Sequence, residues 1–328
     1  MTITCTNPSR PRFTVIIVNW NGENLLDRCL KCLESQTRLA DEVIVVDNAS
    51  TDGSVDLIQT HHKTVKIIQL PSNVGFAAAN NIAAKSASGD WLVLLNPDAF
   101  PEPDWLAAFE NAIQKHPNTT TFTGLLTSDH DQGRIDGTGD IYHISGLAWR
   151  RAHGMAISQA GKYHEPVFSA CGASAVYRKD VFVENGGFDD DFFCYMEDVD
   201  LGFRLQLQGH QCLYIPEAVA HHIGSAITGV QSDFSIYHGH RNLVWVFAKN
   251  MLISLLLLFL PIHLFLNLIS LIWFAAKGQE RAIWSAKADA LKKLPDMLEK
   301  RKTIQQNKKI KAKEVFTLLN KRLLPARR

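Results

Sequence analysis

Several features are missing from this 328-residue chain. Its six cysteines, Cys5, Cys29, Cys32, Cys171, Cys194 and Cys212, show no disulfide-framework spacing, which excludes a small stapled secreted scaffold. Cys29 and Cys32 have the gap of a redox pair. They fall inside a helical period of Leu25, Leu26, Cys29, Leu30 and Leu33, so packing on a helix face is expected there. Met1-Thr-Ile-Thr-Cys-Thr6 lacks the basic and apolar regions of a signal peptide, and the catalytic part is expected in a reducing cytosol. No Gly-x-Gly-x-x-Gly follows the first apolar run, which argues against a Rossmann dinucleotide site. From Asn250 to Ala276 there is no Asp, Glu, Lys or Arg.

What is present is a folded-protein composition, 46% apolar and 20% charged, on a chain long enough for one large domain or two ordinary ones. The net charge of +1 conceals an asymmetry. Residues from Lys277 onward hold 16 Lys and Arg against 5 Asp and Glu, whereas the preceding residues hold 18 against 28. An acidic body thus carries a basic tail, a pattern that points to anionic lipid or nucleic acid.

Trp91-Leu-Val-Leu-Leu95 reads as a strand buried on both faces, as in parallel sheets. Asn96-Pro97 ends it, because proline cannot donate to a ladder and forces the residue before it into an extended conformation. Asp98 is left at the carboxyl edge of the sheet, where ligands gather in open α/β folds. It either binds a divalent cation that holds a diphosphate or caps the next helix. Before it, strands at 13–18, 42–46 and 65–70 alternate with a helix at about 23–35, another running to about 59, and a small-residue helix opened by Asn73–Asn81, which predicts a mostly parallel sheet with crossover helices. Asp47 leaves the second strand, either as an acceptor for a base or ribose or as a turn residue. From about 117 to 167 the alternation dissolves into loops and hairpins that could frame a sugar or acceptor pocket.

Gly186 to Arg204 gathers acidic residues among aromatics. Carboxylates crowded beside apolar surface have raised pKa values, which suits a general base, so Glu197 and Asp198 are the catalytic candidates. Asp200 and Arg204 stand one helical turn apart and read as a structural ion pair. Residues 212–216 and 217–222 read as two short strands. On the second, His221 and His222 face opposite sides, so one of them could join Asp98 in a cation site.

The blocks Val15-Ile-Ile-Val-Asn-Trp-Asn21, Val43-Ile-Val-Val-Asp-Asn-Ala-Ser-Thr-Asp-Gly-Ser54, Asn73-Val-Gly-Phe-Ala-Ala-Ala-Asn-Asn81, Leu94-Leu-Asn-Pro-Asp98, Gly186-Gly-Phe-Asp-Asp-Asp-Phe-Phe193 and Glu197-Asp-Val-Asp200 resemble family 2 glycosyltransferases of the GT-A fold. Within them, the chain resembles bacterial rhamnosyltransferase-like enzymes of O-antigen and polysaccharide assembly. The resemblance implies an α/β nucleotide-diphospho-sugar transferase fold over 1–245 and an inverting transfer from a nucleotide-diphosphate sugar to a glycan or polyprenyl-diphosphate-linked acceptor. It makes Asp198 the base, and assigns Asn19, Asp47, Asn48, Asn73 and Asn96 to the nucleotide. Asp98, with His221 or His222, would hold Mg²⁺ or Mn²⁺. Asn96 replaces the first carboxylate of the family's metal motif.

Residues 246–276 form an apolar segment that could span a bilayer, with Pro261 expected to kink or divide it. Nucleotide sugars are cytosolic and basic tails stay on the cytosolic face, so an in-plane, membrane-associated arrangement on the cytoplasmic face of the inner membrane is expected, with residues 277–328 as basic helices on lipid. Nucleic acid is not expected, since no recognised binding fold accompanies the charge. Transfer directly to polyprenyl phosphate, and a non-catalytic nucleotide-sugar-binding scaffold, are the competing expectations.

Overall fold

The computed structural model describes residues 10–224 and 231–322. The first half alternates regularly: β1 (Phe13–Asn19), α1 (Glu23–Glu34), β2 (Glu42–Asp47), α2 (Ser54–His61), β3 (Lys66–Gln69), α3 (Gly75–Ser86) and β4 (Trp91–Leu95). Then come β5 (Ala99–Pro101), α4 (Trp105–Lys115), β6 (Thr121–Ser128), β7 (Ile135–Gly137), β8 (Asp140–Tyr142), β9 (Ala148–Arg150) and β10 (Glu165–Val167). β11 (Ser174–Arg178), α5 (Lys179–Glu184), α6 (Glu197–Leu207) and β12 (Cys212–His222) complete the sheet region. Five helices close the chain: α7 (Asp233–Asn250), α8 (Ile253–Ala276), α9 (Glu280–Lys292), α10 (Leu294–Gln306) and α11 (Ala312–Leu318).

The main sheet runs β10-β12-β6-β11-β4-β1-β2-β3. β3, β2, β1 and β4 are parallel, and β11 enters antiparallel between β4 and β6. Every residue of β4 is buried, as expected of a strand covered by helices on both faces. One apolar core, with Leu26, Leu30, Trp105 and Phe109, lies on one face, and the small residues Ala77, Ala79 and Ala83 let α3 approach the other. Register sets the working edge: Asn19 pairs with Asp47, and Ser174 with Leu95, so three loops and the start of β11 meet beyond the carboxyl ends of β1, β2 and β4.

Three sequence expectations need correction. The stretch after Pro117 holds a central strand, β6, whose alternating threonines lack a continuous aliphatic signature. Residues 212–222 are one strand, bulged between Ile215 and Val219, where Pro216 cannot donate to the ladder. Pro261 does not divide α8, which is a single helix of 24 residues.

The expected boundary at 245/246 falls inside α7. α9 packs beside α7: Tyr237 donates to Asp289 at 2.7 Å and Trp245 Nε1 to Ala290 O at 3.0 Å. α8 runs along this pair, with Phe247 stacked on His263 and Phe274 against the cluster of Ile236 and Ile283. His263 also meets Ser145 O at 2.7 Å, at the tip of the β8–β9 hairpin. The end of the described chain joins that hairpin, Ile144 N donating to Asn320 O at 3.0 Å and Asn320 N to Tyr142 O at 2.9 Å. The outer face of α8 exposes Leu257, Leu258, Leu268, Ile272 and Trp273. Part of the basic tail turns inward: Lys300 reaches Asp191 at 2.7 Å and Asp189 at 2.5 Å, and Lys293 reaches Asp191 at 3.0 Å. The expected pair of Asp200 and Arg204 is present at 2.9 Å, with Lys249 adding a buried contact to Asp200 at 2.8 Å.

Candidate active site

A cavity of about 280 Å³ opens at the edge where β4 ends and β11 begins, lined by Asn96, Asp140, Arg150, Glu197 and Asp198, with Phe76 and Trp149 among its apolar walls. Asn96 stands at the end of β4, its backbone N–H donating to Ala173 O at 3.2 Å. Asp198 lies in the first turn of α6, where the helix dipole favours a negative charge. Its two oxygens accept from Gly172 N at 2.9 Å and Val199 N at 2.8 Å.

Burial raises the Asp198 pKa, although those two N–H donors and the Arg150 charge oppose it. Burial and then the charge of Asp198 push Asp140 and Glu197 well above the usual carboxylate range. The Oε2 atom of Glu197 is buried without a hydrogen bond, which fits a protonated carboxyl. The cavity therefore brings several carboxylates with elevated affinity for protons to one cation, Arg150.

A second line of residues runs from Arg150 to the sheet edge. Arg150 donates to Asp136, and Asp136 Oδ2 meets His222 Nδ1 at 2.7 Å. His222 Nε2 stands buried, 3.3 Å from Asp98 Oδ1. The pairing of β5 with β12 creates this contact by setting His222 opposite Ala99. Burial alone would raise Asp136, but hydrogen bonds from His153 and His222 and the charge of Arg150 hold it below the usual carboxylate range. His221 turns the opposite way, to Thr127 at 2.7 Å and Glu102 at 3.3 Å, because adjacent strand residues alternate faces. It leaves the metal-ligand set. Asp98 does not cap the helix that follows; Asp104 holds that position for α4.

Asp98 and His222 fit a divalent cation. An imidazole fixed through Nδ1 by a carboxylate presents an unshared Nε2 pair, the arrangement typical of metal-binding histidines. Among the described residues no group of three or more His, Cys, Asp or Glu is poised around an ion. Two protein ligands suit a cation completed by substrate phosphates and water.

In the β1 and β2 loops, Asp47 accepts from Ser50 N at 3.2 Å through Oδ2, while Oδ1 is buried and unpartnered. Asn19 Oδ1 is likewise unpartnered, its Nδ2 donating to Ser50 at 3.3 Å. Two orphaned acceptors paired side by side at the ends of β1 and β2 are unusual in a folded protein, and they suit a ligand's donors. Asn48 and Asn73 spend their amides on the scaffold: Asn48 donates to Asn73 at 2.9 Å and accepts from Val74 N at 2.9 Å, and Asn73 accepts from Gly75 N at 2.9 Å.

The model of glycosyl transferase family 2 matches residues 14–186, more than half of the chain. The chain belongs to glycosyl transferase family 2. This glycosyltransferase is 28% identical over 258 residues to the N-acetylglucosaminyl-diphospho-decaprenol L-rhamnosyltransferase of Mycobacterium tuberculosis, across 72% of this chain and 83% of that one. It is 29% identical over 211 residues to the O-antigen biosynthesis protein RfbC of Myxococcus xanthus, 61% of this chain and 16% of that one. In fold it is similar to the mannosyltransferase of Pyrobaculum calidifontis solved with GDP-mannose and Mn²⁺, with a TM-score of 0.54, 20% identity, and 92% and 86% of the two chains covered. It is also similar to Staphylococcus aureus TarS solved with UDP-GlcNAc, with a TM-score of 0.56, 17% identity, and coverage of 94% and 89%. The fold of the transferase is thus GT-A-like, with a mostly parallel central sheet.

Sequence reasoning about this transferase missed Asp136, Asp140 and Arg150 as site residues. The stretch reads as pocket framing in the sequence, but the pairing of β8 with β9 sets Asp140 opposite Arg150, and Asp136 sits on β7 beside β6.

Proposed function

We propose that this glycosyltransferase moves a sugar, with rhamnose the leading candidate, from a nucleotide-diphosphate donor to a hydroxyl of a glycan or polyprenyl-diphosphate-linked acceptor, with inversion. The observation that carries this reading is the shared cavity: Asp198 opens onto the space that Asn96 lines, at the sheet edge bearing the orphaned acceptors of Asn19 and Asp47. Asp47 and Asn19 accept hydrogen bonds from the nucleotide. Asp198 takes the acceptor hydroxyl proton as the oxygen bonds to the anomeric carbon on the face opposite the diphosphate, and the carbon–oxygen bond to the diphosphate breaks. A single displacement inverts the centre. Mg²⁺ or Mn²⁺ held by Asp98 and His222 would neutralise the charge of the departing diphosphate. The acceptor assignment draws on the name of the mycobacterial relative.

The same reading puts the protein on the cytoplasmic face of the bacterial inner membrane, with no nucleic-acid partner. α8 is the one helix among the described residues long and apolar enough to cross a bilayer, and of its 24 residues only Leu255 and His263 are buried. Its neighbours on either side, α7 and α9, pack on each other, which supports a helix lying in the plane of the lipid surface. The test is release of nucleoside diphosphate from a panel of UDP-, GDP- and dTDP-sugars with Mg²⁺, Mn²⁺ or EDTA. Metal-dependent release from one donor supports the reading, and no release from any donor, with or without lipid-linked acceptor, overturns it.

A further inference from the structure

The residues just ahead of Asp198 hold backbone conformations that side chains with a Cβ rarely adopt. Phe193, Tyr195 and Met196 have φ values of 63°, 68° and 69°. No glycine lies between Gly187 and Gly202 to relieve this turn, so its support must come from elsewhere.

It comes from α7, beyond the stretch matched by the family model. Asn242 is wholly buried, and its amide nitrogen lies 3.0, 2.9 and 2.7 Å from the carbonyl oxygens of Phe192, Cys194 and Tyr195. Its amide oxygen accepts from Arg241 Nε at 2.9 Å. Arg241 Nη2 donates to Phe192 O at 2.9 Å and to Asp191 O at 3.2 Å, while the guanidinium lies over Trp245, 4.4 Å from the ring centre. Lower on the same helix, Asn250 donates to Asp200 at 2.7 Å, so α7 holds the start of α6 from both sides of the turn.

We propose that Asn242, oriented by Arg241, is a positioning residue for the base: it fixes the left-handed turn that aims Glu197 and Asp198 into the cavity. The inference rests on the reading of Asp198 as the base. Converging carbonyls need a donor on a short side chain. An aspartate would oppose them with lone pairs, and an aliphatic residue would leave them buried and unpaired.

The test uses full-length Asn242→Leu and Asn242→Asp, with Asp198→Asn alongside, and follows hydrolysis of whichever nucleotide sugar the wild type turns over. The expected result is a fall in kcat of about 10- to 100-fold, since a misplaced reactive group costs that much. Donor KM should stay within about twofold of wild type, which marks lost positioning rather than lost binding. The acid limb of the pH profile should shift as the surroundings of Asp198 loosen, and amide exchange should rise in residues 192–198 while β1–β4 stay protected. Wild-type kcat, pH limb and exchange in either variant, with Asp198→Asn inactive, overturn the inference. If Asp198→Asn remains active, the base reading fails and this inference fails with it. Should both Asn242 variants prove insoluble, Arg241→Lys, which keeps the charge but loses the forked contact, is read by the same criteria.

Discussion

Replacing Asp198 with asparagine changes two things that can be measured separately. The carboxylate accepts from Gly172 N and Val199 N, one bond per oxygen. An amide offers one acceptor, so one of those N–H groups meets an NH₂ instead. Leaving a buried donor unpaired costs about 1–3 kcal/mol of folding stability. Catalysis loses more: a positioned base contributes about 10²–10⁴ in rate, or about 3–5 kcal/mol of barrier at 1.36 kcal/mol per decade. The pH dependence gives the sign. Burial raises the Asp198 pKa, so wild-type kcat/KM climbs with pH through a midpoint above the ordinary aspartate range, and the variant has no such limb. Stability runs the other way. A raised folded-state pKa means the folded protein holds its proton longer, so this group's contribution is full below the unfolded pKa and declines as pH rises through the folded one. The stability gap between wild type and variant should therefore widen as the pH is lowered. Nucleoside diphosphate release across pH, paired with urea unfolding, reads both effects. Turnover within about tenfold of wild type, or a surviving acid limb, would refute the base assignment.

The cation site, the buried charge network and the apolar face each give a further expectation. Asp136→Asn removes the carboxylate behind His222, and half-saturation by Mn²⁺ should rise about 10- to 100-fold; an unchanged titration would count against the Asp98–His222 site. Lys249→Met leaves Asp189 and Asp200 without the buried ammonium that lies 2.6 and 2.8 Å away, and should cost about 3–5 kcal/mol in urea unfolding at neutral pH. Burial opposes it, but Lys249 and Lys300 hold the Asp189 pKa low, so its contribution is lost only as the pH falls through that depressed value. In the variant the carboxylate protonates earlier, and the cost should shrink toward acid. A loss below about 1 kcal/mol, independent of pH, would contradict this account. Changing Leu257, Leu258, Ile272 and Trp273 together to serine should weaken co-sedimentation with anionic vesicles at least about tenfold while leaving soluble-donor hydrolysis intact; undiminished sedimentation would sink the in-plane helix.

The first four strands were legible because parallel buried strands write continuous aliphatic runs, and because Asn96-Pro97 and Asp47-Asn48 punctuate their ends. The acidic turn ahead of α6 was legible for a similar reason, since clustered carboxylates among aromatics are chemically conspicuous. β6 was not, because its threonines bury their methyl groups in a pattern that composition does not distinguish from a loop. The choice between His221 and His222 depends on strand parity, and the bulge at Pro216 resets parity in a way no spacing rule encodes. Asp140 and Arg150 reach the cavity through the pairing of β8 with β9, and Asp136 reaches them from β7, which are tertiary facts. The basic and apolar alternation of the tail points it to lipid, whereas Lys293 and Lys300 find their counter-ions on the loop of Asp189 and Asp191.

One small junction bears on how the enzyme can be handled. Asn320 is laced to both Tyr142 and Ile144, two residues from Asp140, while His263 props the same hairpin at Ser145. The segment around Asn320 is therefore a buttress of the wall of the cavity. Trimming it to obtain a shorter protein would slacken the wall carrying Asp140 and Arg150, and such a fragment would report on a damaged catalyst.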